Sequence, residues 1–273
     1  MVLLRGKTHR KLCVCGLKKK MKGNKEMSIL IIPDLHGRTF WKKAVEEYFD
    51  KVEKVIILGD YLDPYSWEGI TRKDAIRNFQ EVIDFKKEHK DKVILLLGNH
   101  DLHYIDKKNF YTRPRYDSSN AWHIEEMFHS HMSLFQLAHE EYINGKRYLF
   151  THSGLLPQWY DNHKDLIGEL TVDNLNKLYD TSQGIRALCE VSRYRGGWDR
   201  YGSIVWCDLI EMSEETQRSK EVENLSVNDK LPWEYQVFGH SMQNEHPIIT
   251  KEFACLDCKK AFILTDEGGF QEV

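Results

Sequence analysis

Apolar residues gather into short β-type runs along this chain, and most of those runs end on a cluster of polar residues. Runs rich in Ile, Val and Leu fall at about residues 28 to 33, 54 to 58, 92 to 97, 147 to 151, 203 to 206, 235 to 239 and 261 to 264. Between the first two, Phe40, Trp41, Ala44, Val45, Tyr48 and Phe49 recur at helical spacing. Between the second and third, Ile76, Phe79, Val82 and Ile83 do the same, behind a capping box from Thr71 to Asp74. This β-α-β-α-β order predicts parallel neighbouring strands joined by right-handed crossovers, with functional groups collected at their carboxyl ends. Further on, the pattern predicts a long loop from about Asp101 to Asn120, a helix from Trp122 to about Glu140 and a tight turn at Asn144-Gly145. Residues 159 to 192 read as helical and residues 212 to 230 as a polar excursion.

Five of the strand ends carry side chains that bind metals: Asp34-Leu35-His36, Gly59-Asp60-Tyr61-Leu62-Asp63, Gly98-Asn99-His100-Asp101, Thr151-His152-Ser153-Gly154 and Gly239-His240-Ser241. Any one of them alone is an ordinary turn. The ordered set describes a two-metal hydrolytic site, which needs one carboxylate able to bridge two cations. Asp60 is the expected bridge. Asp34 and His36, two residues apart at a strand end, are placed on one metal, and Asn99, His152 and His240 on the other. Such a pair of metals would lower the pKa of a shared water, leaving a bridging hydroxide for in-line attack on phosphorus. His100 is expected to face away from the metals and to protonate the leaving oxygen, with Asp63 orienting its ring. By contrast, His123, His129, His131 and His139 lack a ligand-type spacing and read as a solvated face.

Composition narrows the setting. The first 26 residues hold nine Lys or Arg against one acid, and the rest holds 30 basic residues against 41 acidic ones. The body is therefore acidic, so no specific nucleic-acid binding is expected, and residues 1 to 26 read as a disordered basic tail before a single domain over 27 to 273. Met21 and Met27 are candidate starts, which would make the tail an extension. No apolar run approaches bilayer length, and no membrane association is expected. The six cysteines are too scattered for a disulfide framework, which makes the cytoplasm the expected compartment, and Cys255-Leu256-Asp257-Cys258 reads as part of a late strand rather than a zinc knuckle.

In these residues the chain resembles the calcineurin-like metallophosphoesterases, near the serine/threonine phosphoprotein phosphatase branch. That branch's series GDxHG, GDYVDRG, GNHE, HGG and a late His is similar to Pro33-Asp34-Leu35-His36-Gly37, Gly59-Asp60-Tyr61-Leu62-Asp63-Pro64, Gly98-Asn99-His100-Asp101, His152-Ser153-Gly154 and Gly239-His240, and its LLWSDP stretch to Val205-Trp206-Cys207-Asp208. The resemblance implies an α/β fold, a four-layer sandwich in which two facing mixed β-sheets are flanked by helices. It also implies two divalent metal ions, commonly manganese, iron or zinc.

Three departures bear on the substrate. Pro64 stands where the branch has an arginine, and Arg193 or Arg195 is the expected replacement grip on phosphate. Asp101 replaces the Glu of GNHE, and Ser241-Met242 after His240 lacks the second His seen in many phosphodiesterases. The expected activity is hydrolysis of phosphate esters, monoesters first, on a phosphorylated small molecule or phosphoprotein. Alternatives are a nucleotide or dinucleoside polyphosphate hydrolase, a phosphodiesterase, or a catalytically silent metal-binding scaffold. The insert Tyr65-Ser66-Trp67-Glu68-Gly69 and the loop after Asp101 are expected to narrow the cleft and favour small substrates.

Overall fold

The computed structural model describes residues 28–106 and 113–273, so the tail at residues 1 to 26 and two of the loop aromatics, Phe110 and Tyr111, lie outside the described residues. Eleven strands form among them: β1 (Ile29–Ile32), β2 (Lys54–Ile57), β3 (Val93–Leu96), β4 (Phe135–Gln136), β5 (Ala138–Ile143), β6 (Lys146–Thr151), β7 (Tyr235–Phe238), β8 (Ile248–Ile249), β9 (Phe253–Cys255), β10 (Phe262–Leu264) and β11 (Phe270–Glu272). The helices are α1 (Phe40–Tyr48), α2 (Arg72–Glu88), α3 (Asn99–Ile105), α4 (Ala121–His131), α5 (Pro157–Ile167), α6 (Val172–Asn176), α7 (Ser182–Leu188) and α8 (Leu209–Arg218).

The strands make two mixed sheets, ordered β11-β10-β1-β2-β3-β4 and β5-β6-β7-β9-β8. β1, β2, β3 and β4 run parallel, as do β6, β7 and β9. Strand alternation explains the layers, because successive side chains point to opposite faces. Leu30, Ile32, Val55, Ile57, Val93 and Leu95 pack with Trp41 of α1 and Phe79, Val82 and Ile83 of α2. Their neighbours Ile29, Ile31, Ile56 and Ile94 face the other way and meet Tyr148, Phe150, Tyr235, Val237 and Ala254 of the second sheet. The far side of that sheet offers Leu149 and Phe253 to Trp159 of α5 and Met212 of α8. Helices, sheet, sheet and helices are thus stacked, and the strands between two covered faces are apolar throughout.

Several expectations change. Residues 203 to 206 are a helical turn, not a strand: the Trp206 and Cys207 amides donate to the Ser203 carbonyl at 2.9 and 2.8 Å, while Ser203 Oγ donates to the Leu188 carbonyl. A four-residue buried apolar run carries no period that separates the two states. The helix expected to run to about Glu140 stops at His131, because Ala138 to Ile143 alternates buried and exposed positions and pairs with β6 across the Asn144-Gly145 turn. Within the loop expected from Asp101, the chain first forms α3, which starts on Asn99. The span 159 to 192 is broken at Gly168 and restarts on the N-caps Thr171 and Thr181. The polar excursion overlaps α8, started by a capping box between Asp208 and Glu211.

Tyr61, buried at the end of β2, donates its hydroxyl to the Leu96 carbonyl at 2.8 Å and stacks on Phe79. Tyr61→Phe strands that carbonyl and is expected to cost about 1 kcal/mol, a drop of roughly 2–4 °C in Tm. An unchanged thermal melt would show that the hydroxyl does not tie the two strand ends together.

Candidate active site

Both sheets end at one pocket. Asp34 and His36 follow β1, Asp60 and Asp63 follow β2, Asn99 and His100 open α3 directly after β3, His152 follows β6 and His240 follows β7, and all eight are buried. His36, Asp60, Asp63 and His240 have φ of 45°, 51°, 60° and 63°. Left-handed backbone at a non-glycine residue is sparsely populated and costs on the order of 1 to 3 kcal/mol, so it persists where surrounding contacts enforce it.

Those contacts centre on Asp60. Its Oδ2 lies 3.5 Å from His36 Nε2 and its Oδ1 3.5 Å from His152 Nε2, so the two oxygens look to histidines from different sheets. The Asp101 carboxylate accepts from the amides of Asp60 (2.8 Å), Tyr61 (3.1 Å) and Gly98 (2.8 Å), binding the turn after β2 to the turn after β3. Gly98 must be a glycine here, since a Cβ would strike Asp60 Oδ1 and the His152 ring. Asp34 is held in turn by the His240 amide, 3.0 Å from Oδ1.

The imidazoles are oriented from behind. His36 Nδ1 is 2.9 Å from the Leu62 carbonyl and His152 Nδ1 is 2.8 Å from the Leu58 carbonyl. A carbonyl only accepts, so each Nδ1 carries a proton and each Nε2 is turned into the pocket. There His152 Nε2 meets Asn99 Oδ1 at 3.0 Å and His240 Nδ1 at 3.2 Å. Three groups of potential ligand atoms result among the described residues: His36 with Asp60 and His100, Asp60 with His152 and His240, and Asp63 with His100 and His103. Asp60 belongs to the first two.

Burial disfavours every charge in the pocket, and the outcome differs by neighbour. Burial opposes the Asp60 carboxylate, yet His152, His100 and His36 hold it well below the usual range. Asp34 is pushed up by burial, with His152 opposing and Asp60 adding to the rise. His152 resists burial because Asp60 and Asp34 carry it up to about 10, whereas burial sends His36 and His240 well below the ordinary value. His240 Nε2 is buried with no hydrogen-bond partner among the described residues. The neutral imidazoles of His36 and His240, the crowded carboxylates, one amide oxygen, and His152, whose inward proton a cation would replace, are a donor set that fits borderline divalent cations.

His100 departs from expectation. Its Nδ1 sits 2.8 Å from Asp63 Oδ2 as foreseen, but the rest of the ring turns toward His36, 4.9 Å away between centroids, rather than away from the cluster. Asn99 and His100 are the first residues of a helix, so their side chains diverge by roughly 100° and not by the half turn of a strand. Asp63 also accepts from the Tyr104 hydroxyl and has His103 Nε2 at 2.8 Å, two partners that sequence reasoning missed. The i, i+3 and i, i+4 spacings from His100 were the available signal. Asp257 was missed as well: read as strand, it is buried beside Asp34, and burial and Asp34 push its carboxyl well up.

The two expected arginines part company. Arg195 pairs through Nε with Asp208 at 2.6 Å and donates to the His240 carbonyl at 3.2 Å, beside the cluster. Arg193 lines a separate cavity of about 500 Å³ with Tyr194, Arg200 and Tyr201, and none of the clustered Asp and His residues borders it. A third arginine, Arg115, reaches over the pocket: its Nε donates to the Asp63 carbonyl at 2.9 Å and its Nη2 is 3.2 Å from His100 Nε2 and 3.3 Å from His36 Nε2.

Two covered sheets carry histidines and aspartates at their joint carboxyl edge, an arrangement suited to metal-assisted hydrolysis. The family model for calcineurin-like phosphoesterases matches residues 27–242, and the chain belongs to that family. Among solved structures, a cold-active protein tyrosine phosphatase aligns with a TM-score of 0.56 at 14% identity, over 90% of this chain and 78% of its own. A protein serine/threonine phosphatase from Saccharomyces cerevisiae aligns with a TM-score of 0.49 at 14% identity, over 89% of this chain and 74% of its own. The first of these likenesses bears on the fold alone. No curated protein matches the chain.

Burial opposes the Asp63 carboxylate, but hydrogen bonds from His100 and His103 hold its pKa down at about 2. A carboxyl depressed on folding stabilises the native state above its unfolded value, near 3.8, and that stability is lost as pH falls toward about 2. The contribution is about 2 kcal/mol. Denaturant titrations of Asp63→Asn are expected to show a shallower loss of stability between those pH values than the wild type, and parallel curves would refute the assignment.

Proposed function

We propose that this protein is a two-metal phosphomonoesterase whose reaction takes place between Asp60 and His100. The observation that carries this reading is that Asp60 presents its two oxygens to histidines of two different sheets while His100, backed by Asp63, faces the same space. Asp34, His36 and Asp60 would hold one divalent cation and Asp60, Asn99, His152 and His240 the other, with manganese, iron or zinc suited to these donors. When bound, such a pair supplies electrophilic charge to the phosphoryl oxygens and acidifies a water at neutral pH.

The chain's own residues supply the rest. The Leu62 and Leu58 carbonyls fix the tautomers of His36 and His152, so their Nε2 atoms stay available as ligands. Asp63 accepts the Nδ1 proton of His100 and keeps its ring in one orientation, leaving Nε2 to hold a proton for the departing alkoxide. Tyr104 and His103 fix Asp63 from behind. The clustered side chains are buried, which strengthens each electrostatic contact among them. Residues 27–273 would act as one catalytic domain. The free, buried Cys189, Cys207, Cys255 and Cys258 support work in a reducing compartment such as the cytoplasm, on phosphorylated small molecules or phosphoproteins. Among the described residues no helix is long and apolar enough to cross a membrane.

With p-nitrophenyl phosphate and added manganese, the wild type is expected to turn over. His100→Asn is expected to lower kcat by about 10²- to 10⁴-fold, and Asp60→Asn to abolish both activity and metal retention. Wild-type activity untouched by both changes would sink the mechanism.

A further inference from the structure

Arg115 is a cation at the site that the proposed reaction leaves without work. Its guanidinium carbon lies 3.8 Å from the centre of the Tyr65 ring, and Tyr65 stands edge-on to His36 at 5.1 Å. Nη2 reaches the Nε2 atoms of His100 and His36, the rim of the pocket where the proton donor and a ligand histidine meet. Among the described residues no carboxylate pairs with it. Arg195, by comparison, is neutralised by Asp208. A guanidinium stays charged at any accessible pH, so Arg115 brings an uncompensated positive charge to the mouth of the pocket, softened only by the face of Tyr65.

The backbone adds a second observation. Arg115 has φ of 56°, a left-handed conformation at a non-glycine residue, directly after Pro114. The turn is strained, and the side chain it delivers points at the reaction site rather than into the core. Strain of this kind gathers at ligand clamps.

We infer that Arg115 makes this site selective for phosphate monoesters over diesters, by binding the third non-ester oxygen that only a monoester has. The inference rests on the phosphoesterase reading and deepens it. A monoester dianion carries three non-ester oxygens, so the pocket can engage two and the guanidinium fork can take the third with charge-assisted hydrogen bonds. In a diester that third position bears a carbon substituent, which offers no charge to Arg115 and runs into the guanidinium packed between His36, His100 and Tyr65. One side chain therefore both attracts the monoester and excludes its competitor.

The test compares p-nitrophenyl phosphate with bis-p-nitrophenyl phosphate on manganese-loaded protein. Arg115→Met keeps an unbranched stem without the guanidinium, and is expected to lower kcat/KM for the monoester about 30- to 100-fold while leaving that for the diester unchanged or raising it. Competitive inhibition by inorganic phosphate should weaken in parallel. Arg115→Lys, which keeps the charge but not the fork, should recover part of both. Equal losses on the two esters, or no loss on either, would overturn the inference while leaving the phosphoesterase reading intact. A wild type silent on both esters would overturn that reading, and this inference with it.

Discussion

A charge buried away from water has to be answered by another charge, and Asp60 imposes that requirement on everything around it. Its carboxylate is almost fully enclosed at the seam of two sheets, where an isolated ion would cost several kcal/mol. Three imidazoles surround it and hold it ionised. From this follow the carbonyls that pin the tautomers of His36 and His152, the Asp101 carboxylate that gathers three amides beneath the site, and the bare Cα of Gly98. Each serves to bring polar groups within reach of Asp60 without leaving one stranded.

The layered core has a matching role. Residues of β1 to β3 alternate between a helical layer and the opposing sheet, so the strands can shift toward neither face without exposing apolar surface. That packing fixes the height at which the five loops leave the sheets. Left-handed residues then turn the side chains inward over a distance of a few ångströms. Rigidity comes from the core and direction from the loops, a division that lets four strained backbone positions persist in one small region.

Much of this could be read from the sequence. The runs before Asp34, Asp60, Asn99, His152 and His240 were visible because parallel strands buried on both faces are apolar throughout, and the β-α-β-α-β order placed the first three clusters at one edge. The second sheet was only partly legible. β8 and β9 are two and three residues long, too short to show a period of their own. The orientation of His100 was misjudged because the first turn of α3 and the end of β3 share no sequence marker at Asn99. Arg115 was visible only as one of several charged and aromatic residues in a loop, since nothing local to Arg113-Pro114-Arg115 says which way a left-handed turn will send the side chain.

The ligand histidines come from different layers: His36 leaves the six-stranded sheet, while His152 and His240 leave the five-stranded one. Asp60 touches both parties. A small slide of one sheet over the other, of the size that thermal motion or a distant substitution produces, would change the separation of the two halves of the site before it disturbed any strand. The interlayer packing of Ile31, Ile56, Phe150 and Val237 thereby acts as the ruler of the active site, and side-chain volume deep between the sheets becomes a remote control on chemistry at their edge.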